Sequence, residues 1–375
     1  MLTARKYRLY PSDGERELMA QHFGCCRWVW NEALAYQERH RAEHGKFLSA
    51  FDLIKRLPAL KEQHPWLKDV DSQALQQSLQ DLGIALTNFY QKRARFPKFK
   101  SKQHRHQSCR FPQRVDVDAE MDQVHLPKLG RINAVIHRSL DGELRSITIS
   151  KNPANQYHAA CLVEDGLAQP KLTYTGKSVG VDLGLTDIIV TSDGLKVEHP
   201  NHYQKNMKAL KHASQKLARA QRGSKRWEKA RLRVAKIHLR IGNARKDYLH
   251  QLSRRLVSDN QVITFETLSI RRMLKTSWLA QAIGSSGWNM LIEFCKYKAT
   301  RLGKVVMQAP GTFRSSKTCS CCGEVNIYLR LADRSWTCSS CGTHHDRDVN
   351  AGHNLDAWGQ EHIALMVAWE RTRSV

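Results

Sequence analysis

The sequence predicts an α/β domain carrying a small cysteine-built ribbon, accompanied by a helical segment and a β-rich segment. Three observations carry this. Apolar runs of strand character, in "GKSVGVDLGLTDIIVTSDG", "NQVITFETLSI" and "KVVMQAP", alternate with long helical stretches in the second half of the chain. Four cysteines fall in a C-x2-C-x15-C-x2-C array near the end. In the first half, Leu75, Leu79, Leu82, Leu86 and Phe89 recur at spacings of four and three, the period of one helix face.

Composition bounds what such a chain does. Its 375 residues, 41% hydrophobic with nine Trp, can bury real cores and are not those of a disordered chain. Sixty Lys and Arg against 35 Asp and Glu leave a formal charge of +25, more than solubility needs, so a large polyanion is the expected partner. The chain has no apolar run of about eighteen residues that would span a membrane. Its start, "MLTARKYRLYPSD", lacks the apolar core of a signal peptide, so a cytoplasmic protein is expected, with no membrane partner. Ten cysteines would stay reduced there, and close pairs read as metal ligands before disulfides.

The elements follow in order. "TARKYRLYP" alternates and stops at Pro11, as a short strand does, and Ser12 with Glu15 offers a capping box to the helix behind it. The Leu75 to Phe89 stripe starts behind a cap at Asp71 or Ser72, and Gln73, Gln76, Gln77 and Gln80 occupy its other sides. Glutamines there suit a solvated face, although Gln also reads adenine through paired hydrogen bonds. After the basic loop "RARFPKFKSKQHRHQ", short strands such as "RSITISK" and "QYHAACLVE" predict a β-rich module over about 106–175. In "VGVDLGL" a carboxylate, Asp182, lies inside an apolar strand, which needs a reason.

Residues 205–246 then hold fifteen Lys or Arg and one acid, Glu228, with Gly223-Ser224 dividing two helices. Val234, Ile237, Ile241, Tyr248, Leu252 and Leu256 stripe the second helix, so its basic residues point elsewhere. A run so poor in balancing acids is expected to track phosphate, and Lys225, Arg226 and Lys229 are its candidate contacts. A strand ending at Glu266, a helix in "SSGWNMLIEFCKYKATRLG" and the strand "KVVMQAP" precede the cysteines.

Two metal sites are expected. Cys319, Cys322, Cys338 and Cys341 form a closed four-thiolate set with the spacing of structural zinc, and Gly323 and Gly342 let each knuckle turn. Cys321 is left as a spare thiol; His344 and His345 find the tetrahedron full and fall in a loop or just outside the ligands. Asp182, Glu266 and an aspartate of "HDRDVNA" lie on a first strand, at a later strand end and at a helix start, the order of acids in an RNase H-like sheet. Converging carboxylates repel unless cations lie between them, and hard oxygen donors favour Mg²⁺ or Mn²⁺. Two such ions about 4 Å apart can activate water and stabilise the leaving oxygen of a phosphodiester.

"GVDLGL", "FETLSIRRMLK", "SSKTCSCCG", "WTCSSCG" and "HDRDVNA", in this order, resemble the TnpB family, RNA-guided nucleases carried by bacterial insertion sequences and related to type V CRISPR effectors. "HPWLKDVDSQALQQSLQDL" and "RFPKFKSK" extend the likeness into the amino-terminal half. The resemblance implies RuvC acids at Asp182, Glu266 and Asp348, with the zinc ribbon inserted before the last. It implies a β-barrel-like wedge module from 1–14 and 106–175, a helical recognition lobe over 15–105, a RuvC-like nuclease domain over 176–312 and 344–375, and the ribbon over 313–343. It also implies a guide RNA from the transposon end, double-stranded target DNA with an adjacent motif, and a partner transposase from the same element. Relatives hold polar residues of the corresponding helix near that motif, which makes Gln73, Gln77 and Gln80 the candidates here. Thr267, where many relatives carry an acid, and Gly352, where Ala is common, depart from the pattern without removing a ligand. Between the two aspartates, Asn350, Ala351 and Leu355 read as a helix start, so Asp348 lies at its mouth and Asp346 in the loop leaving the knuckle.

The function expected is therefore RNA-guided cleavage of DNA. Two other classes compete: a transposase or integrase, which would join DNA ends, and a nucleic-acid-binding regulator, which would need no Mg²⁺. A nuclease-dead regulator is expected to lose an acid, and all three stand here.

Overall fold

Alternation near the start does produce a strand: β1 (Leu2–Leu9) buries Tyr7 and Leu9 and leaves Lys6 exposed. The computed structural model describes residues 1–104, 106–172, 176–275, 279–330 and 332–373, and the chain divides into two units, Met1–Ala168 and Gln169–Val375.

In the first unit, α1 (Asp13–His44) starts at Ser12, whose hydroxyl accepts from Glu15 N while the Glu15 carboxylate accepts from Ser12 N. Met19, Phe23, Val29, Trp30 and Leu34 form its buried side. The short α2 (Ala50–Lys55) and α3 (Leu57–Gln63) lead to α4 (Ser72–Tyr90), capped by Asp71, which accepts from Ala74 N at 3.0 Å. Leu75, Leu79, Leu82 and Leu86 are buried along it, each worth about 1.5–3 kcal/mol of apolar burial. Phe89 is only half-buried, as the end of the helix runs out of the core.

Six more strands follow: β2 (Gln107–Phe111), β3 (Asp116–Asp118), β4 (Gln123–Leu126), β5 (Gly130–Val135), β6 (Glu143–Lys151) and β7 (Tyr157–Glu164). With β1 they make an antiparallel sheet in the order β2-β6-β7-β1-β5-β4-β3. Asn152 closes the β6–β7 turn by accepting from Ala154 N and Gln156 N, and Asn155 takes the left-handed φ of 57° that asparagine tolerates. Tyr7, Leu9, Phe111, Ile147 and Ile149 from the sheet share one core with α1 and α4.

The second unit is built on a mixed sheet in the order β10-β9-β8-β11-β12. Its strands are β8 (Ser178–Asp182), β9 (Asp187–Thr191), β10 (Lys196–Glu198), β11 (Val262–Phe265) and β12 (Val305–Gln308); β8, β11 and β12 run parallel, β9 and β10 antiparallel to their neighbours. Both faces are covered, which is why β11 is buried throughout. One face, with Val179, Val181, Ile263 and Phe265, packs on the long α6 (Lys225–Asp259) and on α9 (Trp288–Arg301) through Leu249, Leu256, Trp288 and Leu291. The other face receives α10 (Arg347–Arg373). There the contact is made by glycine: a Cβ on Gly180 would lie 2.0 Å from Gly352 O, and one on Gly359 would lie equally close to Thr264 Oγ1.

α5 (His202–Ala218) folds back on α6 over Leu210, Ala213, Ile237 and Ile241, with Ser224 capping α6 as the Gly223-Ser224 break suggests. α7 (Ile270–Met273) and α8 (Ala280–Ser286) join β11 to α9. Between β12 and α10 stands a hairpin of β13 (Ser335–Thr337) and β14 (His344–Asp346), the frame of the ribbon. Among the described residues no helix is long and apolar enough to cross a membrane.

Candidate active site

Because β8 and β11 are parallel with Val181 opposite Phe265, the next residue of each, Asp182 and Glu266, leaves the same end of the sheet side by side. Leu183 N donates to Glu266 Oε1 at 3.0 Å and fixes that carboxylate. Asp348 approaches from the first turn of α10. Burial pushes the Asp182 carboxyl well above the usual range, and the charges of Glu266 and Asp348 push it further against the pull of Arg347 and Arg334. Glu266 is pushed up to about 7, by burial first and by Asp348 in addition, despite the Leu183 bond and Arg347. Arg334 reaches Asp348 at 3.5 Å. The three acids thus sense one another, though less closely than the cysteines: among the described residues only the thiols form a ligand group lying within 4.8 Å of one another. A half-buried set of three hard oxygen donors, in which neighbouring negative charge raises the cost of ionising Asp182 and Glu266, is the chemistry that Mg²⁺ or Mn²⁺ fits.

The ribbon is tighter. Cys319 Sγ lies 3.7 Å from Cys341 Sγ, and Cys322 Sγ 3.6 Å from Cys338 Sγ. A tetrahedral ion with sulfur at about 2.3 Å requires edges of about 3.8 Å, so the four thiols fit zinc. Gly323 and Gly342 turn the two knuckles at φ 81° and 73°, their N–H groups donating to Cys319 O and Cys338 O. Cys321 is exposed and outside the four. His344 and His345 belong to β14 rather than to a loop, because the hairpin pairs Trp336 with His345. His345 Nε2 sits 3.0 Å from Cys319 Sγ, placed to donate to a ligand rather than to be one.

Asp346 also differs from the loop residue expected. It ends β14 and caps α10: its Oδ1 accepts from Asp348 N and Val349 N, both at 3.1 Å, while Oδ2 pairs with Lys196 Nζ at 2.6 Å. That pairing with Lys196 and the two backbone donors holds its carboxyl below the usual range despite partial burial. The two aspartates therefore have separate work: Asp346 fixes the helix start, and Asp348 faces the other acids.

Lys225, Arg226 and Lys229 are exposed on the first turns of α6, while Glu228 is taken up by a two-bond pair with Arg231. In the first unit, Gln77 Nε2 donates to Gln80 Oε1 at 2.9 Å and Gln73 Nε2 to Gln113 Oε1 at 2.8 Å. Gln77 lines a groove of about 560 Å³ between α4 and β2, with Lys98, Phe99, Lys100 and Arg110; Gln73 and Gln80 do not. Of the groove's cations, Lys98 and Lys100 were visible in sequence as part of a basic loop, whereas Arg110 comes from β2. Arg334, which pairs with Asp348 from the ribbon, and Asn354, which meets Ser315 and Thr318 from α10, carried no sequence signal of their own, and Asn350 was read only as part of a helix start.

Family models match along much of the chain: "Probable transposase" over residues 158–277, "Cas12f1-like, TNB domain" over 288–355 and "Helix-turn-helix domain" over 1–46. A protein of Streptomyces pristinaespiralis named "Putative RNA-guided DNA endonuclease" is 34% identical over 365 residues, covering 95% of this chain and 89% of that one. The chain belongs to the TnpB family. A second relative of this TnpB chain, InsQ of Escherichia coli strain K12, bears the same description and is 31% identical over 380 residues, 97% of this chain and 94% of its own. A solved Cas12f1–sgRNA–target DNA complex aligns at 14% identity and a TM-score of 0.37, covering 95% of this chain and 99% of that one, an overlap too loose to build on. The helix-turn-helix label does not describe this TnpB chain, in which those residues form β1 and the single helix α1.

Proposed function

We propose that this TnpB chain is an RNA-guided DNA endonuclease that binds a guide RNA from the transposon end and cuts DNA beside a short motif by two-metal-ion hydrolysis. The observation that carries the reading is the meeting of Asp182, Glu266 and Asp348 at one end of the second unit's sheet, with the first two carboxyls held above their ordinary pKa. Mg²⁺, or Mn²⁺ in its place, bound by these oxygens supplies Lewis acids for a phosphodiester and its attacking water. The chain's own groups prepare that centre. Leu183 N orients Glu266, Asp346 with Lys196 fixes the start of α10, Arg334 pairs with Asp348, and Arg347 with Arg334 offsets the negative charge at Asp182. The four thiolates hold zinc and keep the ribbon folded.

Guide pairing fits a chain of charge +25 with few base-reading motifs: Lys and Arg hold backbone while the RNA reads sequence. Lys225, Arg226 and Lys229 are the proposed phosphate contacts, and Gln73, Gln77 and Gln80 the proposed readers of the motif. We assign the wedge to 1–14 and 106–175, the recognition lobe to 15–105, the nuclease to 176–312 and 344–375 and the ribbon to 313–343, in a protein acting in the cytoplasm beside its element's transposase.

The test is the nucleic acid that copurifies. Sequencing it should return one RNA species with a constant part and a guide part, and protein loaded with a reprogrammed guide should cut a matched plasmid in Mg²⁺. Protein free of defined RNA, or cutting without regard to the guide, would overturn the reading. The "Probable transposase" model favours a second reading, strand transfer, which joined products in the same reaction would reveal.

A further inference from the structure

α10 has two working sides. Asp348, Gly352, Leu355 and Gly359 fall along one stripe of its 3.6-residue period, against the sheet and the acids, and Asn350 and Asn354 fall on the opposite side. Both asparagines are buried, at 1% and 9% exposure, and a buried amide needs partners. Theirs lie on the first knuckle and the segment that enters it. Ser320 N donates to Asn350 Oδ1 at 2.9 Å, and Asn350 Nδ2 donates to Thr318 O at 2.8 Å. Asn354 Nδ2 donates to Thr318 O at 2.6 Å and to Ser315 O at 2.7 Å. Thr318 and Ser320 flank the ligand Cys319.

The second knuckle reaches the same helix through the chain itself, since β14 runs from it directly into Arg347. Helix α10 is thus tied to both knuckles, and the thiolates are where the knuckles meet. The opposite side of the helix has no slack: a Cβ on Gly352 would sit 2.8 Å from Ser192 N. Movement of the first knuckle would pass into the turns that carry Asp348 rather than be absorbed.

We propose that Asn350 and Asn354 are positioning residues that transmit the state of the zinc ribbon to the acid site, so that losing zinc weakens divalent binding at Asp182, Glu266 and Asp348. The proposal rests on the endonuclease reading only in taking those three acids as the divalent site.

The experiment measures Mn²⁺ alone binding to full-length protein, from the EPR signal of the free ion. Four proteins form a cycle: wild type, Asn350→Ala with Asn354→Ala, Cys338→Ser, and the combination. The asparagine variant should keep its zinc by metal analysis yet bind Mn²⁺ about tenfold more weakly, the usual effect of removing groups that orient ligands. Cys338→Ser should weaken binding too, and by less in the asparagine background than alone, since β14 remains as a second route from the ribbon to α10. Single-turnover cleavage at saturating guide and target should follow the same pattern. Wild-type Mn²⁺ affinity in the asparagine variant, or losses that simply add, would overturn the relay. If the double variant does not fold, Asn354→Ala alone is read by the same two criteria. Asp348→Ala separates the failures: equal Mn²⁺ binding by it and the wild type defeats the acid-site reading itself, whatever the asparagines do.

Discussion

Replacing Gly180 by Ala should disable cutting although it changes none of the proposed ligand residues. A Cβ there would lie 2.0 Å from Gly352 O, 2.5 Å from Asp356 N and 2.9 Å from Leu355 Cβ. Carbon and oxygen need roughly 3.3 Å between them, so α10 has to retreat from β8 by on the order of 1 Å. Two of the three obstacles are backbone, which no rotamer change can clear. Overpacking of this kind costs about 1–3 kcal/mol. Asp348 rides on the same helix, and a misplacement of about 1 Å at a reacting centre costs about a hundredfold in rate. The assay pairs urea unfolding with single-turnover cleavage of a guide-matched plasmid in saturating Mg²⁺. Gly242→Ala on α6 is the control: nothing lies within 4 Å of its Cβ, and helix propensity should raise stability by up to about 1 kcal/mol at unchanged cutting. Gly180→Ala protein that folds and cuts within twofold of wild type would refute the claim that this backbone contact sets the acid geometry.

Three further outcomes are expected. Cys338→Ser should lose zinc and fall in thermal stability, because three thiolates leave the closed shell incomplete; full zinc by metal analysis of pure protein would contradict the ligand set. Changing Lys225, Arg226 and Lys229 together to Gln should weaken guide RNA binding and flatten its dependence on salt; an unchanged slope would mark the run as a solvated face. In buffer without added Mg²⁺ or Mn²⁺, Glu266→Gln should be the more stable protein above pH 7: with its carboxyl at about 7 when folded and near 4.5 when unfolded, wild type loses up to about 3 kcal/mol as pH rises between those values. The two proteins should converge toward pH 5, and wild type outlasting the variant in urea at pH 8 would run against the assigned strain.

Features set by neighbours in sequence were legible; those set by distant pairing were not. The capping box at Ser12, the cap at Asp71 and the Leu75 to Leu86 stripe all depend on residues within a few turns, and they form as read. The cysteine array was legible for the same reason, its knuckles being local turns. Nothing local says that β1 lies between β7 and β5, because those partners come more than a hundred residues later and register is a tertiary outcome. β10 and β3 escaped notice because three polar-flanked residues carry no period. At the site, Asp182 stood out as a charge in an apolar strand, whereas Arg334 and Asn354 looked like ordinary polar residues and Asn350 like part of a helix start. Their meaning lies in partners on another element: Asp348 for the arginine and the first knuckle for the asparagines.

The acid at the mouth of α10 is assigned as a divalent ligand, and its neighbour two residues earlier as a cap. Asp348→Ala and Asp346→Ala, loaded with the same guide, are compared for cleavage on gels and for RNA and target binding by mobility shift. Asp348→Ala should show no detectable cutting with both binding steps intact, since removing a ligand leaves the basic surfaces untouched. Asp346→Ala loses two backbone acceptor bonds and the pair with Lys196, which loosens the helix start, so it should cut slowly but measurably. Robust cutting by Asp348→Ala, or complete loss confined to Asp346→Ala, would contradict that assignment.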